Sequence, residues 1–493
     1  MNKESKKKVV IIGAGPAGVT AAYELLKKDD FQVAVLEKDS VVGGLSKTTM
    51  YKNCKFDIGP HHFITESSKI EKWWKDIMKE EENRGNKFVP LRRFTRIYYR
   101  NHFFNYPLQP LNVLQGLSFW ECFKCVLSYI KIRFFPIKKI KSFQDWVTNK
   151  FGYRLFSIFF KTYTEKLWGI SCERISSDWA AQRIKGFSLS KAIFYAFFGG
   201  WFKKNAPRTI CDKFYYPMLG AGTLWQKVAD QVERYQDGKI YLNKNVASIK
   251  HDNYLIKSVF AYDSKNDKSA AKELKEFEAD YFFSTMPLRS LILSMDPLPE
   301  KSVVDAAKNL SYRSLVTVNL IVNKRDICPD HWLYIHEKEV LLVRVGNMNN
   351  FSLEMVDNKN HSAISLEYFT FTKDEFWKLQ DEDLIELSKK ELQKIGLVQQ
   401  EDVLDGMVLR EEYAYPVYIG NYKQDLNIVL NYLAKFSNLQ LMGRNGLHRY
   451  NNMDVAMISA MDAVDKVLKQ EKDKDKILSK FQSDEFKSKS MSI

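Results

Sequence analysis

The sequence predicts an α/β fold in which a parallel-sheet domain is joined by a helical domain and a mixed β-sheet domain. Three observations predict it. Residues 8–12, KVVII, read as a strand buried on both faces; GAGPAG, the amphipathic VTAAYELLKK and a second strand, FQVAVLEKD at 31–39, follow. Strand, Gly turn, helix and strand make one βαβ unit. SLVTVNLIVNK, HWLYIHE, VLLVRVGNM and SAISLEYFTF, between residues 314 and 371, have strand length and composition. LQLMGRNGLHRYNNMDVAMISAMDAVDKVLKQ, from residue 439 to 470, closes the chain as strand, Gly turn, polar loop and helix.

The elements in between follow the same patterns. Residues 65–210 read mostly as helix, rich in aromatic and basic side chains. YYPMLGAGTLWQKVADQVER at 215–234 reads as turn then helix, and KIYLNKNVASIKHD and YLIKSVFAYD read as strands. EADYFFSTMPLRSLILSM is a strand running into a helix, and DEDLIELSKKELQKIG is a charged amphipathic helix. The chain therefore divides into a discontinuous domain over 1–65, 215–295 and 400–470, a helical domain or lid over 66–214, a β-rich substrate domain over 296–399 and a charged, frayed tail over 471–493.

Composition sets limits. Of 493 residues, 45% are apolar and 27% charged, too apolar for a disordered chain and too charged for a polytopic membrane protein. Lys and Arg number 75 against 60 acids, a net charge of +15 that attracts anions without choosing among nucleotides, lipid surfaces and nucleic acid. The lysines are scattered and no nucleic-acid motif accompanies them. Six cysteines make no disulfide framework, and Cys122 and Cys125 lack a second pair at zinc spacing, so neither a disulfide nor a metal site is expected and a reducing cytoplasm fits. AIFYAFFGGWF at 192–202 falls short of a membrane span. The basic, aromatic stretch 119–141, FWECFKCVLSYIKIRFFPIKKIK, leaves peripheral contact with the inner membrane face open. Oligomeric state is not legible.

Gly13, Gly15 and Gly18 form G-x-G-x-x-G between a strand and a helix. Gly13 permits the tight turn, Gly15 lets the backbone approach a pyrophosphate, and Gly18 lets helix and sheet pack. The helix N-terminus offers N–H groups and partial positive charge to phosphates. Glu37, about twenty residues on, is placed to accept ribose hydroxyls. This is a Rossmann-type dinucleotide site.

SVVGGLS at 40–46 resembles the second FAD motif of the amine oxidase, phytoene desaturase and UDP-galactopyranose mutase superfamily. The resemblance continues in FDIGPHHF at 56–63, STMPLRSLI at 284–292 and GRNGLHRYNNMDVAM at 443–457. It implies a GR2-type domain holding FAD rather than NAD. The residues it assigns to the cofactor are Gly13, Gly15, Ala17, Gly18, Glu37, Gly43, Gly44, Leu45, Ser46, Gly443, Arg444, Asn452 and Met453. It places His61, or alternatively His62, near the flavin ring.

The middle of the chain resembles the UDP-galactopyranose mutases in the order of its motifs: FNYPLQPLN at 104–112, YTEKLWG at 163–169, WAAQRI at 179–184, HWLYIHE at 331–337, VLLVRVGNMNNFS at 340–352, AYPV at 414–417 and RYNNMD at 449–454. By that resemblance Arg183 and Arg344 clamp a pyrophosphate, which suits the planar guanidinium fork. Tyr106, Gln109, Trp168, Trp332, Tyr334, Tyr415 and Tyr450 line the substrate site. The implied reaction is a redox-neutral pyranose–furanose interconversion of a nucleotide-sugar by reduced flavin, in polysaccharide biosynthesis, with NAD(P)H or another reductant as electron donor. The sugar reading rests on those two guanidinium groups converging beside the flavin: if they point away from it or are ion-paired within the scaffold, only an unassigned flavoprotein remains. Two departures stand against it. Pro60 occupies a position usually held by Gly in the mutases, and SCERISSDWAAQRIKGFSL resembles protoporphyrinogen-oxidase-like flavoproteins. The rival expectation is an FAD-dependent oxidase or desaturase acting on an apolar, membrane-derived substrate.

Overall fold

The computed structural model describes residues 5–83, 85–106, 108–177, 213–266 and 273–469. Arg183, the stretch 192–202 and the tail from residue 470 lie outside the described residues.

The first strand, Lys7–Ile12, is the middle of a five-stranded parallel sheet ordered Leu439–Leu441, Tyr281–Ser284, Lys7–Ile12, Phe31–Leu36 and Gly238–Tyr241. Its side chains alternate across the sheet. Val9 and Ile11 pack with the helices Pro16–Leu26, Gly222–Arg234 and Met453–Lys469 on one side, while Val10 and Ile12 pack on the other with Leu288–Leu293, Lys301–Asn309 and Tyr422–Ala434. That burial on both faces explains the continuous apolar run KVVII. A four-stranded sheet covers the second side, in the order Lys275–Glu278, Leu255–Asp263, Lys244–Asp252 and Met295–Asp296.

The second large element is a seven-stranded sheet: Val403–Pro416, Tyr312–Val322, Ser362–Thr370, Arg344–Asn347, Trp332–Ile335, Thr95–Tyr99 and His102–Asn105. All neighbours are antiparallel except Trp332–Ile335 beside Thr95–Tyr99. Tyr312–Val322 and Ser362–Thr370 are buried along their whole length, which accounts for their apolar character.

The segment 65–210 differs from the mostly helical expectation. Helices run over Ser68–Glu82, Phe119–Phe134, Phe143–Phe151 and Thr162–Trp168, but Phe88–Arg92, Thr95–Tyr99 and His102–Asn105 are strands. The last two form a hairpin through Arg100 and Asn101, whose φ angles are 50° and 59°. Two successive left-handed residues are the tight hairpin geometry that matches strand twist. The helix Thr162–Trp168 is tied to the seven-stranded sheet by two cations. Lys166 Nζ donates to the carbonyls of Ile335, Glu337 and Leu342, and Arg313 donates to those of Leu167, Lys166 and Phe369.

His336 and His448 are buried. Burial, reinforced by the nearby Lys166 charge, pushes the His336 imidazole down to about 3, and burial pushes His448 down to about 4. The unfolded chain takes up these protons near the ordinary value of about 6.5. The stability they contribute is therefore present above that pH and lost as pH falls through the window down to about 4. Two such groups give a loss of up to about 2.7 kcal/mol per pH unit. Because the buried Asp57 and Asp454 carboxyls, raised to about 6, act in the opposite sense, the test is a comparison: urea midpoints of His448→Gln should fall less steeply below neutrality than the parent's, and an unchanged slope would contradict this assignment.

Candidate functional site

A cavity of about 660 Å³ runs from the C-terminal tip of Phe31–Leu36 to the face of the seven-stranded sheet. At its first end the Gly13–Gly18 turn sets the walls. Gly13 has φ 97°, and a Cβ there would stand 2.1 Å from Thr285 Oγ1, which donates to the Ile12 carbonyl at 2.8 Å. A Cβ on Gly18 would lie 1.8 Å from the Gly13 carbonyl oxygen, so only glycine lets the helix close on the turn. Gly15 caps the helix without a side-chain hydrogen bond, and no acid stands in its first turn, which leaves the positive end of the helix facing the cavity.

The second Gly loop meets the first backbone to backbone. Gly43 N donates to the Ala14 carbonyl at 2.9 Å, and a Cβ on Gly44 would stand 3.1 Å from the Gly15 Cα. Ala17, Leu45 and Ser46 complete this wall, and Gly443, Asn452 and Met453 line it from the far end of the chain, while Gly18 and Gly43 shape it from behind. Glu37 lines the cavity at 5% exposure and accepts the N–H of Ala14 at 2.6 Å and of Asp39 at 3.0 Å. Burial lifts its carboxyl above the usual range. A carboxylate has about four acceptor positions, so two remain for a ligand.

Asn445 was not anticipated from sequence. Its Nδ2 donates to the Tyr413 carbonyl at 2.9 Å, while its Oδ1 is buried at the cavity wall with no hydrogen-bond partner among the described residues. An orphaned buried acceptor is costly unless a ligand supplies a donor. With the glycine cradle and Glu37, it fits a dinucleotide cofactor such as FAD. Arg444 also lines the cavity, but its guanidinium donates to the carbonyls of Asn451 and Ala414 and lies over the ring of Tyr450 at 4.8 Å. It holds the 450–452 loop in place.

In the middle stand His61 and His62. Burial first, then the charge of Arg444, pushes His61 down to about 3, so it is a neutral imidazole at working pH. His62 Nδ1 lies 3.1 Å from the Pro60 carbonyl, and its ring stacks on Trp332 at 5.4 Å.

The far end is built from phenols, an indole and guanidinium groups. Tyr334 sits 5.2 Å from Tyr106 and 5.4 Å from Tyr163, ring centre to ring centre. Tyr415 and Tyr450 stack at 5.4 Å and 7°. Trp332 is buried, and its indole N–H has no acceptor among the described residues. Arg344 lines this end, but its Nε and Nη2 donate to Glu367 Oε2, with a further contact to the Tyr415 hydroxyl at 3.3 Å. Burial works against its charge, and the Glu367 carboxylate outweighs that, lifting Arg344 above its usual range. Its charge is thus already compensated inside the scaffold, which removes the two-arginine clamp as ground for a sugar substrate; Arg183, its expected partner, lies outside the described residues. Two expected substrate contacts lie elsewhere. Gln109 is exposed at the start of Pro110–Gly116, where Oε1 accepts from Asn105 Nδ2 at 3.0 Å. Trp168 packs in the core behind the cavity, its ring edge-on to Tyr415 at 6.1 Å.

Arg93 was missed. It lines the far end, half-buried, with its guanidinium 5.7 Å from the Tyr106 ring centre. Arg96, three residues on, pairs with Asp330, whereas no carboxylate among the described residues pairs with Arg93. In sequence, the basic pair 92–93 reads as a solvated edge. Its place at the cavity depends on the strands on either side of it, Phe88–Arg92 paired with Lys213–Pro217 and Thr95–Tyr99 paired with Trp332–Ile335.

Comparison with solved structures finds the same fold. A reduced UDP-galactopyranose mutase matches with a TM-score of 0.78 at 20% identity, covering 97% of this chain and 98% of that one. A protein provisionally assigned as a protoporphyrinogen oxidase of Exiguobacterium sp. 255-15 matches with a TM-score of 0.69 at 14% identity, covering 95% and 100%. A fatty acid isomerase of P. acnes, which produces CLA, matches with a TM-score of 0.58 at 13% identity, covering 94% and 99%. Among curated sequences, a 1-hydroxycarotenoid 3,4-desaturase of Flavobacterium sp. (strain P99-3) is 44% identical over 57 residues, a match that spans 12% of each chain. The profile of the family described as Flavin containing amine oxidoreductase matches residues 16–422, most of the chain, and the protein belongs to that family.

Proposed function

We propose that the protein is an FAD enzyme whose reduced flavin acts on a nucleotide-sugar and interconverts its pyranose and furanose rings without net redox change. One observation carries this reading: beside the aliphatic Ile58, Leu167 and Leu315, the far end of the cavity carries the polar side chains of Tyr106, Tyr163, Tyr334 and Tyr415 and the guanidinium of Arg93. A hydrocarbon placed there would strip water from a guanidinium and several hydroxyls without replacing their hydrogen bonds. An anionic, hydroxylated ligand replaces them. The motif order along the chain supports the same reading, and the fold, shared with a mutase over nearly the whole length, accommodates it.

Reduced flavin, when bound, supplies a nucleophilic ring nitrogen. The chain's own residues bind and orient. Glu37 and the two Gly loops hold the dinucleotide, and the Gly15 helix end offsets phosphate charge. Arg93 supplies the uncompensated positive charge for a diphosphate. Arg344 contributes directed N–H donors, since Glu367 offsets its net charge. Neutral His61 adds no charge at the centre of the cavity. A second reading, oxidation or desaturation of an apolar substrate, is favoured by the exposed aromatic helix Phe119–Phe134.

Glu37→Ala should leave purified protein with a lower ratio of flavin to protein absorbance; an undiminished ratio would remove the ribose role. Arg93→Ala should weaken UDP binding by about 1.5–3 kcal/mol, as expected for lost charged hydrogen bonds, measured by titration calorimetry on the reduced holoenzyme. Unchanged affinity would sink the assignment. Arg93 is the cleaner probe, because truncating Arg344 strands the buried Glu367. Dithionite-reduced protein given UDP-galactopyranose or UDP-galactofuranose without air should yield the other ring form by chromatography. Stoichiometric peroxide from an apolar substrate in air, with no sugar conversion, would instead establish the oxidase.

A further inference from the structure

The helix Phe119–Phe134 has no buried residue, although its sequence is largely apolar. Phe119 is 77% exposed, Trp120 68% and Phe134 76%, and Phe123, Val126, Leu127 and Ile130 are exposed beside them. At 100° per residue these seven side chains fall within an arc of about 120°. Lys124 and Lys131 lie along one edge of that arc and Arg133 along the other. The sole acid of the helix, Glu121, points away and is held by Arg154 and Lys124. The following loop continues the pattern with exposed Phe135 and Ile140 among exposed Lys138, Lys139 and Lys141.

The inner face is anchored. Cys122 and Cys125 pack into a cluster with Phe104, Leu117 and Phe159, Ser128 Oγ accepts the Arg154 N–H at 3.0 Å, and a Cβ on Gly152 would stand 2.8 Å from the Tyr129 nitrogen. The outward stripe is therefore presented by a fixed helix. We propose that this face docks the protein on an anionic lipid surface, with the aromatic stripe in the headgroup boundary and the flanking cations against lipid phosphates. Charge decides between occupants. A second copy meeting this face about a two-fold axis would bring the same cationic edges together, a repulsive arrangement. A surface of fixed negative charge with an apolar layer beneath matches both the stripe and its edges.

The test is co-sedimentation of the full-length holoenzyme with phosphatidylcholine vesicles, with and without phosphatidylglycerol, and light scattering of the protein alone across concentration. Binding is expected only with phosphatidylglycerol and should fall with added salt. Phe119→Ser with Trp120→Ser should lower partition at least about tenfold. Lys138→Gln with Lys139→Gln, outside the helix and unable to unfold it, should lower it about fivefold per charge. Flavin content equal to the parent's certifies each variant's fold. Equal binding to both vesicle types, no binding, or unaltered binding of the folded variants would overturn the proposal. A concentration-dependent dimer lost in Phe119→Ser with Trp120→Ser would overturn it in favour of a second copy.

Discussion

Backbone lies against backbone where the Gly13–Gly18 turn meets the Gly43–Gly44 turn, and the cavity depends on that contact. The helix Pro16–Leu26 can start beside the strand tip only because no side chain intervenes at Gly18 or Gly13. The second turn is fixed by the Gly43 N–H on the Ala14 carbonyl and by Lys47 just beyond it. Lys47 is largely buried between Asp39 and Glu411, at 2.6 and 2.7 Å. Burial alone would lower its affinity for a proton, but the two carboxylates raise it. Glu411 lies on Val403–Pro416, the strand that carries Tyr413 and Tyr415 to the other end of the cavity. One buried charge network thus couples the turn at the nucleotide end to the sheet at the far end.

The same logic sorts the cations around the cavity. A buried cation needs acceptors, and most of those here find them within the protein. Lys166, Arg313 and Arg444 serve backbone carbonyls, and Arg344 serves Glu367. They hold the walls in register. An arginine inside a motif is consequently not a ligand contact by virtue of its motif. Arg93, engaged through a ring face rather than a carboxylate, adds net positive charge to the far end.

What was legible in the sequence was local. The opening βαβ unit, the two fully buried strands and the closing turn and helix each carry their pattern within a dozen or two residues. The strand Thr95–Tyr99 was hidden because one partner, Trp332–Ile335, lies more than two hundred residues away, as in Ile97 opposite Tyr334, and His102–Asn105 pairs only with Thr95–Tyr99. The Arg100–Asn101 turn was the available signal, since Asn tolerates the left-handed region better than most residues. At the site, Gly13, Gly15, Gly44 and Glu37 were readable because a phosphate turn constrains backbone. Trp168 and Gln109 lie off the cavity, because motif spacing does not say which way a side chain faces: Trp168 packs in the core against Tyr415, and Gln109 is exposed at the start of Pro110–Gly116. Asn445 sits inside the quoted closing motif, but its unpartnered oxygen emerges only when Tyr413 has taken its amide N–H.

The fold does not select the chemistry. Structures of a sugar-nucleotide mutase, an oxidase-like protein and a fatty acid isomerase share it at 20% identity or less. On the proposed reading, selection falls to side chains at the far end, where Tyr106 and Tyr163 both pack on Tyr334 and Arg93 lies over Tyr106. The exposed apolar stripe of Phe119–Phe134 is a separate surface, since none of its outward residues lines the cavity. Only the inner face of that helix shares a packing cluster with Tyr106 and Tyr334. The proposed membrane position therefore does not by itself require an apolar substrate. On the two proposals, Phe119 bears on where the enzyme sits and Arg93 on what it holds.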